Sequence, residues 1–390
     1  MDTVEIRQLG SVLDTVSLTT ELKAAARELG FEPAGVCPAV TPQGLDLFHA
    51  WLAAGYTGEM HYLPARAEVY SHPRHVLVGA RSILALALPY RTVEPRDSQG
   101  GEGRVSRYAW GLDYHDVARR RLDKLADVLH RRVPQARVRS VVDTAPLLER
   151  EFAQLAGLGW IGKNTLLLNK RAGSWFFLCV LLTDVELDFD QPHQSDHCGT
   201  CRACLDACPT QAFVDEHVLD PRRCISYLTI ESREPIPREL RPQIGEWLFG
   251  CDICQEVCPW NREAPAVDDP EFQPRDGAKN LDLVELFYLD ESQFKARFRN
   301  TPLWRPRRRG ILRNAAIVLG NQAAAGASSP EAMAALVRGL NDDEPLVRGA
   351  SAWALGNYDL MEAQTALRLR CVLEADQPVR AEIEAGIRPA

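Results

Sequence analysis

Eight of the 11 cysteines fall between residues 198 and 258, in two runs and one isolated position. The first run, Cys198-x-x-Cys201-x-x-Cys204-x-x-x-Cys208, is followed by proline. With this spacing a bacterial ferredoxin loop binds one 4Fe–4S cluster through three thiolates and a second cluster through the fourth. The spacing therefore predicts iron–sulfur clusters and a protein that transfers single electrons.

The second run, Cys251-x-x-Cys254-x-x-x-Cys258, also precedes proline but has Leu248 where its first cysteine would stand. Cys224 is the available replacement. Crossed ligation then predicts two clusters, with Cys198, Cys201, Cys204 and Cys258 on the first and Cys208, Cys224, Cys251 and Cys254 on the second.

Structural zinc is the main alternative, because zinc also binds pairs of Cys-x-x-Cys thiols. A zinc site takes four ligands, so it would leave Cys204 or Cys208 unused. Disulfides are a weaker alternative for a long chain with no export signal, because cytosolic thiols stay reduced.

Bulk composition is that of a globular protein. The 390 residues are 46% hydrophobic and 25% charged, which suits two or three domains. Residues 1–20 lack a basic start followed by an apolar run, and the longest apolar stretches, 83–88 and 175–182, are much shorter than a bilayer span. We expect a cytoplasmic protein with no membrane segment. The net charge of −8 argues against nucleic-acid binding by the whole surface and leaves room for a local basic patch.

The elements ahead of the cysteines read as an α/β domain. Apolar runs predict strands over 82–89, 137–142 and 175–182, and amphipathic patterns predict helices over 21–29 and 116–132. Asp143 follows the second strand, at an edge where α/β sheets place ligands. Buried against a ligand, its pKa would rise, and it could then donate a proton near neutral pH. The alternative is that Asp143 caps a helix over 146–156.

Two further segments carry polar, aromatic or glycine residues. Residues 104–115 suit a binding loop, although Tyr108 and Trp110 could equally be packing residues. Residues 157–164 are rich in glycine but follow a helix and precede strands, which is the wrong context for a dinucleotide-binding loop. A nicotinamide site is therefore not predicted.

The C-terminal part contains a repeat. Residues 311–321 align with 347–357 at a shift of 36 residues, and residues 378–380 begin a third, degenerate copy. This period is typical of stacked helix pairs of the HEAT or armadillo kind. Residues 301–330 contain no acidic residue, and their arginines Arg305, Arg307, Arg308, Arg309 and Arg313 are the candidate phosphate-binding residues, which could bind a nucleic acid. The alternative is a solvated charged face.

Together these motifs resemble the epoxyqueuosine reductase family along nearly the whole chain. The resemblance is carried by Arg107-Tyr-Ala-Trp-Gly-Leu-Asp-Tyr-His115, Val142-Asp-Thr-Ala-Pro146, Gly159-Trp-Ile-Gly-Lys-Asn164, both cysteine runs and the repeats. It implies a cobalamin-dependent iron–sulfur enzyme that removes the epoxide oxygen of epoxyqueuosine at the wobble position of tRNA, the last step of queuosine biosynthesis.

The resemblance also implies an architecture and a set of site residues. It implies an α/β cobalamin-binding domain like that of reductive dehalogenases over 1–190, a two-cluster ferredoxin module over 191–262, a linker with first helices over 263–300 and all-α HEAT-like repeats over 301–390. Asp143 matches the family's proton donor. The residues that match cofactor-binding positions are Arg66, Ser106, Asp113, Asp143, Ser226, Arg233, Cys251 and Asp252. The stretch around Arg66 is less regular than the family pattern. The implied partners are tRNA and an external low-potential electron donor, for a monomer.

Two other functions use the same features. A reductive dehalogenase would share the cofactors, but the missing export signal and the arginine-rich repeats speak against it. An electron-transfer scaffold would use the clusters and the repeats, but it leaves the domain that carries Asp143 without a purpose. Retention of cobalamin during purification would distinguish such a scaffold from the enzyme.

Overall fold

The fold was analysed in a computed structural model that describes residues 14–275 and 277–388. The prediction of no export signal over residues 1–20 concerns a segment of which residues 1–13 lie outside this description. Within the described ranges, no helix combines the length and the apolar character needed to cross a bilayer.

Short strands and mostly short helices make up the chain. The strands are β1 (Ala34–Pro38), β2 (Ser82–Pro89), β3 (Glu102–Val105), β4 (Val138–Val141), β5 (Trp160–Ile161), β6 (Leu167–Leu168), β7 (Phe176–Thr183), β8 (Phe213–Asp215), β9 (Val218–Leu219), β10 (Trp247–Phe249) and β11 (Asn280–Asp282).

The helices divide into those of the N-terminal two-thirds and those of the repeats. They are α1 (Thr15–Glu28), α2 (Leu45–Ala53), α3 (Tyr62–Ala65), α4 (Tyr114–Arg132), α5 (Glu149–Leu155), α6 (Ala203–Asp206), α7 (Ile225–Ile230), α8 (Ile253–Glu256), α9 (Pro259–Arg262), α10 (Leu283–Leu286), α11 (Glu291–Phe298), α12 (Arg307–Ala324), α13 (Pro330–Gly339), α14 (Pro345–Gly356), α15 (Met361–Leu373) and α16 (Gln377–Gly386).

The main sheet has the strand order β1-β2-β7-β4, and every neighbouring pair is antiparallel. In β2, Leu84 and Leu86 pack with α1 and α4 on one face, while Ile83 and Ala85 pack with α5 on the other. Burial on both faces explains why β2 reads as one continuous apolar run. Asp143 follows the C-terminal end of β4, as predicted, in a sheet whose neighbouring strands run antiparallel.

A second, three-stranded sheet joins distant parts of the chain in the order β10-β3-β11. Strand β3 runs parallel to β10 and antiparallel to β11. The segments predicted as a catalytic domain, a ferredoxin module and a linker therefore share one sheet. Backbone hydrogen bonds between these strands set the relative positions of the three segments, and no local sequence pattern predicted this pairing.

The start of the segment 263–300, predicted as a linker with first helices, packs against the N-terminal α/β part. Phe272 is buried, and the Arg121 guanidinium lies 2.7 Å from carboxylate oxygens of both Asp269 and Glu271. The Leu112 amide donates to the carbonyl of Glu271. The described part of this segment is an ordered connection, although proline and aspartate give it the composition of a loop.

The repeats form the predicted helix pairs. The two aligned segments lie in α12 and α14, and the third copy begins α16. Helix α14 packs between α12 and α16. A side chain at Gly320 would come within 2.7 Å of Trp353, so the repeat needs glycine at this position for α12 and α14 to approach closely.

Candidate functional site

The eight thiols of the cysteine region divide into two groups of four by the charges that act on each thiol pKa, although Cys204 also acts on Cys254. In the outer group, burial and then the neighbouring Cys258 and Cys198 raise the pKa of Cys204 to about 11, and Cys201 also contributes. Cys201 is exposed to solvent. The outer group is therefore Cys198, Cys201, Cys204 and Cys258, and it reaches the surface.

In the inner group, burial and then Cys254 raise the pKa of Cys251 well above its ordinary value, and Cys224 adds to the effect. Cys208 acts in the same way on Cys224 and Cys254. The inner group is therefore Cys208, Cys224, Cys251 and Cys254. Crossed ligation predicts the same two sets, and this ligand assignment stays a prediction.

Asp252 lies next to the inner group and accepts hydrogen bonds from the start of the segment 106–115. The Ser106 hydroxyl donates to Asp252 Oδ1 at 2.6 Å and the Arg107 amide donates to Oδ2 at 2.8 Å. Ser106 and Asp252 are each only 2% exposed, and burial raises the pKa of Asp252 to about 6. Their side chains therefore hold the loop in place instead of lining open space.

Asp143 is not a helix cap. It lies two residues after β4 with φ 54°, a left-handed conformation that aspartate tolerates, whereas α5 starts only at Glu149 without a side-chain cap. Asp143 Oδ2 accepts a hydrogen bond from the Tyr114 hydroxyl at 2.8 Å and lies 3.7 Å from Nε2 of His115. The side chain is 65% exposed although protein atoms surround it on most sides, so it lies in a cleft.

Asp143 and His115 determine each other's ionisation at this cleft. The nearby His115, helped by Tyr114 and opposed by burial, holds the pKa of Asp143 below its ordinary value. Burial alone would lower the pKa of His115, but its contacts with Asp113 and Asp143 raise it to about 9. The predicted rise in the pKa of Asp143 concerns the side chain buried against a ligand, and it stays a prediction.

Asp113 acts on the cleft through His115. Asp113 Oδ1 caps α4 by accepting from the His115 amide at 3.0 Å, and it also lies 2.8 Å from His115 Nδ1. Tyr114 stacks between His115, at 4.0 Å between ring centroids, and Phe177, at 4.1 Å. Asp113 and the stacked rings orient His115 towards Asp143.

Glu149 places a second carboxyl group beside Asp143. Its Oε1 is buried and has no hydrogen-bond partner among the described residues. Burial and then the charge of Asp143 raise its pKa to about 8. Sequence reasoning assigned no role to Glu149, Tyr114 or His115. The Asp-Tyr-His order at the start of α4 was the available signal for Tyr114 and His115. An acid that caps a helix fixes the positions of the residues in its first turn.

The remaining predicted cofactor contacts surround this cleft or the inner thiols. Arg66 is exposed. Burial raises the pKa of Tyr70 to about 12, and the charge of Arg66 opposes this rise. Arg233 Nη2 donates to the Arg305 carbonyl at 2.9 Å, and burial lowers the pKa of Arg233. Ser226 is half-buried, two residues after Cys224 in the first turn of α7.

The five arginines predicted to bind tRNA do not share one surface. Arg313 is 1% exposed and donates to the carbonyl oxygens of Leu228, Ser232 and Glu234, so it is a buried structural residue. Arg308 forms an ion pair of 2.7 Å with Asp342. The prediction is therefore wrong for Arg313, whose donors are all directed into the protein, and Arg308 is already neutralised by a carboxylate.

The other three arginines are exposed. Arg307 begins α12 and lies over the Trp304 ring at 4.1 Å, and Arg309 is exposed two residues later. Arg305 forms a two-point ion pair with Glu231 at 2.9 and 3.0 Å, and its charge lowers the pKa of Asp143. The exposed arginines therefore extend from the repeats to the Asp143 cleft.

Three family models match separate parts of the chain. They are "Epoxyqueuosine reductase QueG, DUF1730" over residues 71–144, "4Fe-4S double cluster binding domain" over 197–261 and "HEAT-like repeat" over 306–358. The second match covers both thiol groups, so they belong to a double-cluster domain and not to a zinc site.

Whole-length relatives give the same result. The epoxyqueuosine reductase of Pseudomonas aeruginosa is 44% identical over 349 residues, 88% of this chain and 96% of the relative. That of Escherichia coli K12 is 36% identical over 370 residues, 94% of each chain.

Solved structures of epoxyqueuosine reductase superpose closely on the chain. One is in complex with an epoxyqueuosine-modified tRNA-Tyr stem loop, with a TM-score of 0.88, 33% identity and coverage of 95% of this chain and 98% of the other. A Bacillus subtilis structure has its catalytic loop swung out of the active site, with a TM-score of 0.86, 32% identity and the same coverage. The chain therefore belongs to the epoxyqueuosine reductase family, a family of oxidoreductases.

Proposed function

We propose that the protein reduces epoxyqueuosine to queuosine in tRNA. Two electrons and two protons break both carbon–oxygen bonds of the epoxide, form a carbon–carbon double bond and release water. The observation that carries the proposal is the position of Asp143 and His115 in an open cleft, on a chain that also holds two groups of four cluster-type thiols. The relatives are named epoxyqueuosine reductase, after this activity.

The proposed ligands of the two 4Fe–4S clusters are the outer group and the inner group of thiols. Cobalamin, when bound, supplies a low-potential cobalt centre for cleavage of the epoxide. The residues present fit such a group, because Glu149 Oε1 is buried near Asp143 without a partner in the described chain and a corrin carries amide donors. We assign its binding to the surroundings of Arg66, Ser106, Asp113, Asp143, Ser226, Arg233, Cys251 and Asp252.

Protons come from side chains of the cleft in this proposal. His115 holds one proton at neutral pH and Asp143 stands between it and the open cleft. A substrate that fills the cleft excludes water, which disfavours a charged Asp143 and drives the proton from His115 to Asp143. Asp143 then donates it to the departing oxygen. The neutral Glu149 beside it is a source for the second proton.

tRNA binding falls to the exposed arginines. Arg307 and Arg309 point to solvent at the start of α12, and Arg305 borders the Asp143 cleft. Arginines on a helical surface contact phosphates and set position without reading sequence, so recognition of the modified base is left to the cleft. A relative solved with a modified tRNA stem loop supports tRNA as the partner.

The proposal includes an external low-potential electron donor, a monomeric protein and a cytoplasmic location, where tRNA is found. It keeps the four segments 1–190, 191–262, 263–300 and 301–390 as functional divisions, although β3, β10 and β11 join three of them in one sheet.

The test is an anaerobic assay of the purified chain with tRNA containing epoxyqueuosine, free cobalamin and a low-potential reductant. Mass analysis of the released nucleosides should show loss of one oxygen atom and formation of queuosine. Omission of cobalamin and the variant Asp143→Asn are the controls. No product from an iron-replete, cobalamin-loaded protein would refute the proposal.

A further inference from the structure

The segment 159–164, Gly-Trp-Ile-Gly-Lys-Asn, is not explained by the cleft or by tRNA binding. It forms β5 and the turn after it, and it packs on the loop that carries the outer thiols. A side chain at Gly159 would come within 1.9 Å of the Leu168 carbonyl oxygen, so the turn requires glycine there. The backbone of the segment therefore lies in close contact with the backbone at Leu168.

Lys163 ties this segment to the cluster loop. Its ammonium group donates to the Gly199 carbonyl at 2.7 Å and lies 2.8 Å from Glu216. The backbone carbonyl of Lys163 also accepts a hydrogen bond from the amide of His217. Gly199 lies between two thiols of the outer group, Cys198 and Cys201. The position of β5 relative to the outer group is thus held by a buried lysine side chain.

This arrangement positions the side chain of Trp160 against the outer thiols. It is 1% exposed and packs in one small apolar cluster with Leu168 and Cys258, with Cys198 and Trp260 at its edge. Two of these five residues are outer thiols. The indole therefore forms part of the wall around the outer group.

The indole nitrogen of Trp160 is buried and has no hydrogen-bond acceptor within the described part of the chain. An indole N–H can only donate, and leaving a buried donor unpaired costs free energy. By contrast, the buried indole of Trp110 donates to the Val105 carbonyl at 2.8 Å. The unsatisfied donor beside the outer thiols needs an explanation.

Two histidines add to the same wall. His193 stacks on Trp160 at 5.6 Å between ring centroids, and His197 meets it edge-on at 4.8 Å. Nε2 of each histidine is also buried without a partner among the residues that the structure describes. Three ring nitrogens therefore gather beside one group of thiols with their hydrogen bonds unmade. A cluster supplies sulfur acceptors at this place.

We propose that Trp160 tunes the outer 4Fe–4S cluster: its indole N–H donates a hydrogen bond to a sulfur of that cluster and raises the cluster's reduction potential. Hydrogen bonds to sulfur stabilise the more negative, reduced cluster and are one of the factors that set its potential. The inference rests on the ligand assignment in the proposed function. The outer cluster, which reaches the surface at Cys201, is thereby made easier to reduce than it would be without this bond.

The variant Trp160→Phe keeps an aromatic ring and removes the donor. With both clusters retained, as judged by iron content, EPR-monitored redox titration should show about a tenfold lower ratio of reduced to oxidised outer cluster at a fixed potential, equal to about 59 mV for one electron. The inner cluster is the internal control and should not shift. Trp353→Phe, in the repeats, should shift neither cluster. An unchanged outer potential in the iron-replete variant overturns the proposal.

A second measurement needs no change at Trp160. In protein labelled with 15N in the indole ring of tryptophan, pulsed EPR of the reduced outer cluster should detect a coupled indole nitrogen, and Trp260→Phe should retain it. Absence of the coupling overturns the proposal even if Trp160→Phe loses iron.

Failure of the ligand assignment is recognised separately. Cys201→Ala should remove the signal of the outer cluster alone. If it leaves both clusters intact, the assignment on which the proposal rests is wrong, whatever Trp160→Phe does.

Discussion

The two thiol groups have the same ligand pattern but different surroundings. The outer group reaches solvent at Cys201 and is walled by aromatic rings, whereas burial raises the pKa of the inner Cys251 and Cys254 well above the ordinary value. The inner group also adjoins Asp252, which is bonded to the segment that carries His115. In the proposed function this difference predicts a direction of electron flow, from a donor at the outer cluster to the cleft beside the inner cluster.

Loss of an inner ligand should have the largest effect. We expect Cys224→Ser to lose about half of the iron, since one of two clusters fails, and to reduce turnover to background. Iron analysis, EPR and the nucleoside assay measure this. Cys201→Ala is the matched outer variant. Full iron content and the parent spectrum in Cys224→Ser would mean that the crossed assignment is wrong.

Asp143→Asn should separate proton transfer from electron transfer. The amide keeps the shape of the side chain but cannot pass on a proton, so turnover should fall about 10²- to 10⁴-fold. Both clusters should still be reduced by dithionite, because the substitution leaves both thiol groups in place. Single-turnover assays with pre-reduced protein measure the fall. Turnover near that of the parent with a lowered melting temperature would assign Asp143 a purely structural role.

Arginine substitutions should affect the cleft side of the molecule and leave the outer cluster unchanged. Arg307→Ala with Arg309→Ala should lower tRNA affinity about tenfold and reduce the salt slope by about two, because each arginine neutralises one phosphate. Turnover at saturating tRNA should stay near the parent value. Filter binding at several salt concentrations measures both quantities. The double variant Arg27→Ala with Arg131→Ala, exposed on α1 and α4, is the control and should behave as the parent.

Equal affinity and slope in the two double variants would contradict docking on the repeats. Arg313 is unsuitable for this test, because its replacement would leave the carbonyls of Leu228, Ser232 and Glu234 without their donor and destabilise the fold.

The pH dependence should give the smallest effect. Glu149, with its pKa raised to about 8, and His115, with its pKa raised to about 9, are protonated below these values and lose their protons as pH rises through them. Turnover should therefore be level near pH 7, fall by about twofold up to pH 8 and fall more steeply above it. Glu149→Gln should remove the first part of the fall and His115→Gln the second.

A pH profile that is unchanged in both variants would show that neither side chain supplies the rate-limiting proton. Reduction of the outer cluster provides the comparison, because its surroundings contain neither group and its rate should not follow this profile.

The amino-acid sequence by itself determined the features that are local or periodic. Ligand spacing predicted the double-cluster domain, the apolar run of 82–89 predicted β2, and the shift of 36 residues predicted the stacking of α12, α14 and α16. Each of these depends on residues whose relation is set by the geometry of one loop, one strand or one helix pair.

The tertiary structure alone decided which charged groups are free and which are paired. The arginine stretch 301–330 contains no acid, yet Asp342 and Glu231 arrive from elsewhere to pair with Arg308 and Arg305, and backbone carbonyls enclose Arg313. In the same way, His115, at the start of α4, lowers the pKa of Asp143, which follows β4. Burial and electrostatic partners depend on contacts between distant segments, so charge counts along the chain could not predict them.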